Sequence, residues 1–134
     1  TVGIAEIVNT NTEEYIAYCF AEVEGFSAFG SYIGNANANG PMVNVGFRPA
    51  FIMIKASSTT GSWRLFDTTR NPSNVTNKLI YPNLSNAEAT SAELDILSNG
   101  FKIRVAGGYD INDSGDTIVY MAFAENPFKT ANAR

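Results

Sequence analysis

Two pairs of carboxylates stand at spacings that could support acid–base chemistry. Glu22 and Glu24 are separated by one residue, and so are Glu93 and Asp95. Alternate residues of a strand share one face, and a glycosidase needs two acids about 5 Å or about 6.5–9.5 Å apart. Thirteen acidic residues in a chain of 134 also produce such pairs on a solvated surface. We therefore predict a protein that is not an enzyme. A polysaccharide-degrading enzyme is kept as an alternative hypothesis.

The chain contains no histidine and one cysteine, Cys19. Without histidine it lacks the usual base near neutral pH, the commonest metal ligand and any histidine-activated nucleophile. A single cysteine forms no internal disulfide and no multi-thiolate metal site. Cys19 lies in an apolar segment, where we expect it to be a small buried hydrophobe. We predict no catalytic residues and no cofactor.

Oxygen-bearing side chains alternate over residues 110–116, as in the first half of a calcium-binding loop. Gly115 occupies the sixth position, but Met121 stands at the twelfth, where a bidentate acid is expected. We therefore predict a hairpin turn and no metal, with a calcium site as the alternative. The ligands of that alternative would be Asp110, Asn112, Ser114 and Asp116.

Polar and aromatic residues of one loop and one strand could contact a glycan. Amides hydrogen-bond sugar hydroxyls, aromatic ring faces cover the apolar side of a sugar, and loops carry recognition disproportionately. Trp63 is the only tryptophan, and a single tryptophan on a strand is more often part of a core. The hypothetical ligand-binding residues are Tyr32, Asn35, Asn37, Asn39 and Trp63.

The charge of the chain excludes some partners. The formal net charge is −4 and the isoelectric point is near 4.7, whereas binding to a phosphate backbone requires a basic face. No apolar run approaches the roughly 20 residues that span a bilayer. We expect neither nucleic-acid binding nor membrane insertion.

Short apolar or alternating segments, separated by turn-forming residues, predict an all-β fold of single-domain length. Residues 15–21 are aromatic and β-branched, which predicts a strand buried on both faces. Residues 49–55 form the most hydrophobic run and predict a central strand, while residues 31–40 predict a loop. Residues 101–105 alternate between apolar and cationic side chains, and residues 118–124 predict a last buried strand.

The dipeptide Asn99-Gly100 predicts a hairpin between the strands on either side of it. Both central residues of a type I′ turn need positive φ, and this dipeptide supplies them readily. We therefore expect the segment ending at Leu97 to pair with the segment beginning at Phe101.

The two ends of the chain resemble each other when residues 1–22 are laid on residues 104–125 without gaps. Val2 falls on Val105 and Asn9 on Asn112. Residues 20–22 and 123–125 both read Phe-Ala-Glu, and both copies run as strand, polar turn and strand. Apolar β-strands resemble each other by chance, but we favour a tandem repeat, in which residues 1–26 close a preceding unit or form a linking segment. Such a module could also hand a strand to its neighbour by β-addition.

Six segments follow one another in a recognisable order. They are residues 20–26, 29–35, 46–55, 63–67, 97–102 and 120–128. In order and spacing they resemble the repeated β-rich module found toward the ends of tail-fibre and other virion structural proteins of tailed bacteriophages. The resemblance covers nearly the whole chain. It implies a virion location and an adhesive or structural role, and it brings no catalytic residues.

We therefore predict an antiparallel, jelly-roll-like β-sandwich at 27–134, with residues 1–26 swapped or continuing a neighbouring unit. The predicted function is a non-enzymatic virion module of a tail fibre, located on the virion or extracellularly. Its predicted partners are copies of itself, other virion proteins and a host-surface glycan. The alternative is a capsid decoration or an extracellular filament subunit joined by strand donation. The predicted assembly residues are Tyr15, Tyr18, Phe20 and Phe123.

Overall fold

The structure, a computed structural model, describes residues 10–127. The predicted all-β class is confirmed, since the described residues form strands, turns and loops but no helix. Val2, Asn9 and the end of the 120–128 segment lie outside the described residues. The strands are β1 (Ser27–Ile33), β2 (Met42–Asn44), β3 (Pro49–Ala56), β4 (Arg64–Asp67), β5 (Thr76–Leu79), β6 (Ala89–Leu97), β7 (Gly100–Ile103) and β8 (Thr117–Ala124).

Within residues 10–127 the strands form two antiparallel four-stranded sheets, which pack as a sandwich. The first sheet has the order β1-β8-β3-β4, and the second has the order β2-β7-β6-β5. The pairs β1/β8 and β2/β7 join distant parts of the chain, as in a jelly roll, whereas β3/β4 and β5/β6/β7 join sequence neighbours. A bridge between Leu65 and Ile80 connects the β4 edge to the segment after β5.

The core lies between the inner faces of the two sheets. Ile52 and Ile54 of β3 are fully buried there, as are Phe101 and Ile103 of β7. The alternation predicted for 101–105 is confirmed, because its apolar side chains are buried and Arg104 is exposed. The central position predicted for 49–55 is also confirmed, because β3 lies between β8 and β4.

A bulge in β6 turns an acidic side chain into this core. Glu93 and Leu94 are both buried although they are consecutive, and the register between β5 and β6 shifts along this stretch. Arg64 Nη1 donates a hydrogen bond to Glu93 Oε1 at 2.5 Å, and the two side chains are only 8% and 1% exposed. Burial raises the pKa of the Glu93 carboxyl, and the charge of Arg64 opposes that rise. The result is a buried ion pair that links the sheets.

The strand β1 extends into residues predicted to be loop, since Ser31 and Tyr32 belong to it. Gly30 lies opposite Tyr120 of β8. A Cβ on Gly30 would stand 2.8 Å from the Tyr120 hydroxyl oxygen, so the glycine makes room for the ring. Glycine has a low β-propensity, so the composition of this segment does not indicate a strand. Packing against the neighbouring strand outweighs that low propensity.

The hairpin predicted at Asn99-Gly100 is confirmed, but its turn type is not. Leu97 pairs with Gly100, so the loop is Ser98–Asn99, and neither Asn99 nor Gly100 has a positive φ. A Cβ on Gly100 would stand 1.9 Å from the carbonyl oxygen of Val43 in β2. Glycine is needed here because the neighbouring strand approaches closely.

The buried strand predicted for 15–21 is wrong for this chain. These residues belong to no strand, and all of them are exposed, Cys19 included. Ile16 and Tyr18 are 82% and 81% exposed. The physical reason is that a strand with two apolar faces needs a sheet around it. In the described residues the corresponding central position, between β1 and β3, is filled by β8.

We expect the ion pair between Arg64 and Glu93 to behave as a coupled unit. Glu93→Leu and Arg64→Met should each lower the free energy of unfolding by about 3–5 kcal/mol, since each removes the buried partner of the other charge. In Glu93→Leu, Arg64 keeps only the more exposed carboxylate of Asp110, 3.8 Å away. The double variant should lose less than either single variant because it leaves neither charge buried. Urea unfolding of the four proteins measures this. Additive losses in the double variant would show that the two side chains are not coupled.

Candidate functional site

The outer face of the first sheet is apolar, although an antiparallel sheet usually presents a polar face to solvent. Side chains alternate along each strand, so the residues between the buried ones face away from the core. The register places Phe29, Met121, Met53 and Leu65 in one row across all four strands. We call the following set the outer face: Phe29, Phe51, Met53, Leu65, Val119, Met121 and Phe123.

An aromatic cluster covers one end of the outer face. The Phe123 ring lies 5.8 Å from the Phe51 ring and 5.9 Å from the rings of Phe26 and Phe29, in edge-to-face arrangements. Phe20 joins this cluster from the segment before β1, with its ring centroid 5.8 Å from that of Phe123 and 6.0 Å from that of Phe29. Such ring pairs add about 0.5–1.5 kcal/mol each beyond the area they bury.

Polar groups border the apolar outer face. Asp67 continues the row of Phe51 and Phe123, and it pairs with Arg70 at 2.5 Å. At the other end Lys55 stands beside Val119. An apolar centre with a polar rim is the composition of a protein–protein interface.

Two of the four residues predicted for assembly, Phe20 and Phe123, belong to the aromatic cluster on this face. Tyr15 is 48% exposed, Tyr18 is 81% exposed, and Phe20 is 57% exposed although its ring touches the cluster. Phe123 is half-buried at the centre of the cluster. The structure therefore brings Phe20 and Phe123 together. Their role in assembly stays a prediction.

Tyr32 is a core residue, which corrects its prediction as a ligand contact. It is 8% exposed, and its hydroxyl donates a hydrogen bond to the carbonyl oxygen of Ile111 at 2.8 Å. Burial raises the pKa of the Tyr32 hydroxyl. Its place in a predicted loop favours ligand contact, but it belongs to β1 and faces inward.

The asparagine loop is exposed, but its amides largely bond within the loop. Asn35 Oδ1 accepts a hydrogen bond from the backbone N–H of Asn37, and Asn37 Oδ1 accepts one from the N–H of Asn39. Asn39 Oδ1 accepts a hydrogen bond from Lys102 Nζ at 2.5 Å. Trp63 is half-buried, immediately before β4. Glycan contact by these residues stays a prediction.

The alternating residues of 110–116 serve separate purposes. Asn112 is fully buried, and its amide Nδ2 donates to the carbonyl oxygens of Val105 at 2.6 Å and Asn37 at 2.9 Å. Its Oδ1 accepts a hydrogen bond from the N–H of Asn35, so Asn112 is committed to bracing two loops. Asp116 accepts a hydrogen bond from Ser58. The Asn112 geometry argues against the alternative calcium site.

Neither carboxylate pair has the predicted arrangement on one face of a strand, and Glu22 and Glu24 lie outside the strands. Glu93 and Asp95 do not share a face, because the bulge turns Glu93 inward while Asp95 pairs with Arg104 at 3.1 Å. The prediction that they share a face is wrong. Glu22 and Glu24 both line an open groove of about 430 Å³ between the turn before β1 and the β2–β3 loop.

Residues 10–127 contain neither a membrane-spanning helix nor a cluster of metal-ligating side chains. None of them forms a helix with the length and hydrophobicity that crossing a bilayer requires. No group of three or more acidic, cysteine or histidine side chains among them is placed to hold a metal ion. The outer face is therefore the candidate site that the side chains themselves support.

Comparison with known proteins gives one match. Residues 1–127 match the family described as "Domain of unknown function (DUF7483)", and the chain belongs to that family. No curated protein and no solved structure matches the chain.

We expect Asn112 to matter for stability and not for calcium. Asn112→Ala should lower the free energy of unfolding by about 2–4 kcal/mol, because two carbonyl oxygens and one N–H lose their hydrogen-bond partner. Millimolar calcium should leave the thermal midpoint of the parent chain unchanged, since only a bound ion stabilises the folded state. A rise in that midpoint, lost in Asp116→Asn, would restore the calcium site.

Proposed function

We propose that this member of the DUF7483 family is a non-enzymatic structural module that assembles with copies of itself through the outer face. One observation carries the proposal, namely the continuous apolar row of Phe29, Met121, Met53 and Leu65 across the first sheet. Burying apolar surface contributes about 25 cal/mol per Å². Covering such a face in an assembly is therefore favourable.

The remaining geometry is consistent with a structural role. The acidic side chains of β6 are engaged in ion pairs, and the buried pair of Arg64 and Glu93 links the sheets. The polar loops are braced by side-chain amides such as that of Asn112. These contacts stiffen the module, which suits a component of a persistent assembly.

We place the module in a tailed-bacteriophage virion, as part of a tail fibre. This placement rests on the resemblance of six segments to virion modules. A capsid decoration or a free extracellular filament would use the same outer face, so geometry does not separate them. Electron microscopy of particles labelled with an antibody against the chain does, because the label would mark the tail, the capsid or neither. A degrading enzyme would instead release reducing ends from host polysaccharide.

Self-association should depend on the outer face. Met121→Lys places a charge in the middle of the apolar row, and it should convert an oligomer at micromolar concentration into a monomer. Thr90→Lys, an exposed position on β6, is the matched control and should leave the oligomer intact. Sedimentation velocity over a concentration series measures both. A parent chain that stays monomeric, or equal association of both variants, would contradict the proposal.

A further inference from the structure

We propose that residues 14–21 are the closing strand of a second sandwich unit of the same fold. In that unit they take the central position that β8 takes here. The inference extends the proposed self-association, but it depends on residues 10–22 and not on contacts at the outer face.

The turns before the two segments share one backbone hydrogen bond and one positive φ. The N–H of Glu13 donates to the carbonyl oxygen of Thr10 at 3.3 Å, and the N–H of Asp116 donates to that of Asp113 at 3.1 Å. The third residue of each turn has a positive φ, 75° at Thr12 and 83° at Gly115. Each residue of the first turn lies 103 positions before its counterpart in the second turn, and 103 is the offset of the sequence repeat. A positive φ is uncommon for a β-branched residue, so its recurrence at this point favours a true repeat.

The side chains after the turn match β8 face by face. On β8 the outer face is formed by Val119, Met121 and Phe123, and the repeat places Ile16, Tyr18 and Phe20 on these positions. On the inner face, Ile118 and Ala122 are fully buried. The repeat places Tyr15 and Cys19 on these positions. Residues 15–21 therefore carry a strand pattern that is apolar on both faces, as β8 does.

A strand of this kind belongs between two other strands. In this chain β8 already fills the space between β1 and β3, and residues 15–21 are exposed. The acceptor must therefore be a unit that supplies equivalents of β1 to β7 and receives its last strand from here. We assign it to a unit joined directly ahead of this one, with residues 24–103 as its template.

An extended chain tests the inference. Residues 24–103 are placed directly ahead of Thr1, so that residues 1–22 occupy the positions of 104–125 in the added unit. We expect the added unit to fold, and amide hydrogen exchange at residues 14–21 to slow by at least about a hundredfold relative to the 134-residue chain. An added unit that stays unfolded, or unchanged exchange at residues 14–21, would overturn the inference.

Cys19→Asp supplies the matched control. In the extended chain it would bury an unpaired carboxylate at the position of Ala122 and should unfold the added unit alone. In the 134-residue chain Cys19 is exposed, and the same change should leave the unfolding midpoint unaltered. A second extended chain carries residues 24–125 ahead of Thr1, so that the added unit contains its own copy of β8. This chain should tolerate Cys19→Asp as well. An added unit of 24–103 that folds regardless of Cys19→Asp would overturn the inference. These outcomes do not depend on whether Met121→Lys abolishes association.

Discussion

The strand β8 is apolar on both faces, and the rest of the structure is arranged around that constraint. Its inner side chains, Ile118 and Ala122, complete the core against the second sheet. Its outer side chains, Met121 and Phe123, form the middle of the outer face. Its two edges are hydrogen-bonded to β1 and β3, so it occupies an interior position of the first sheet.

The same constraint connects the fold to assembly. A sheet whose central strand is apolar outward presents an apolar surface, and water leaves that surface when another copy covers it. The aromatic cluster at Phe123 already draws Phe20 from the preceding segment onto this surface. The segment at 15–21 has the same two-faced pattern but no neighbouring strands among the described residues. The apolar outer face and the exposed segment at 15–21 are the two features on which the proposed joining of units rests.

Sequence alone predicts the elements whose pattern is local. The alternation at 101–105 and the hydrophobic run at 49–55 give strands in the right places, and two antiparallel sheets follow. What it misses depends on distant neighbours. Ser31 and Tyr32 fall in a segment with the composition of a loop, but they pair with β8, and the bulge that turns Glu93 inward is set by register.

The candidate site is predictable to a similar degree. Phe20 and Phe123 stand out in the sequence because the repeat aligns them, and the structure brings their rings together. The outer face as a whole depends on the cross-strand register of Phe29, Met53 and Met121, which no local pattern contains. Tyr32 and Asn112 have the residue types of a binding site, but both are buried, and burial follows from the packing of whole strands.

We propose that residues 15–21 are enclosed as the last strand of a second unit. Accessibility of the Cys19 thiol measures this enclosure most directly. Alkylation of this single thiol under native conditions reports how accessible residues 15–21 are. We expect rapid labelling of the Cys19 thiol in the dilute 134-residue chain, where it is exposed. We expect labelling at least about a hundredfold slower once residues 24–103 precede Thr1. Equal labelling rates in the two chains would contradict the proposal.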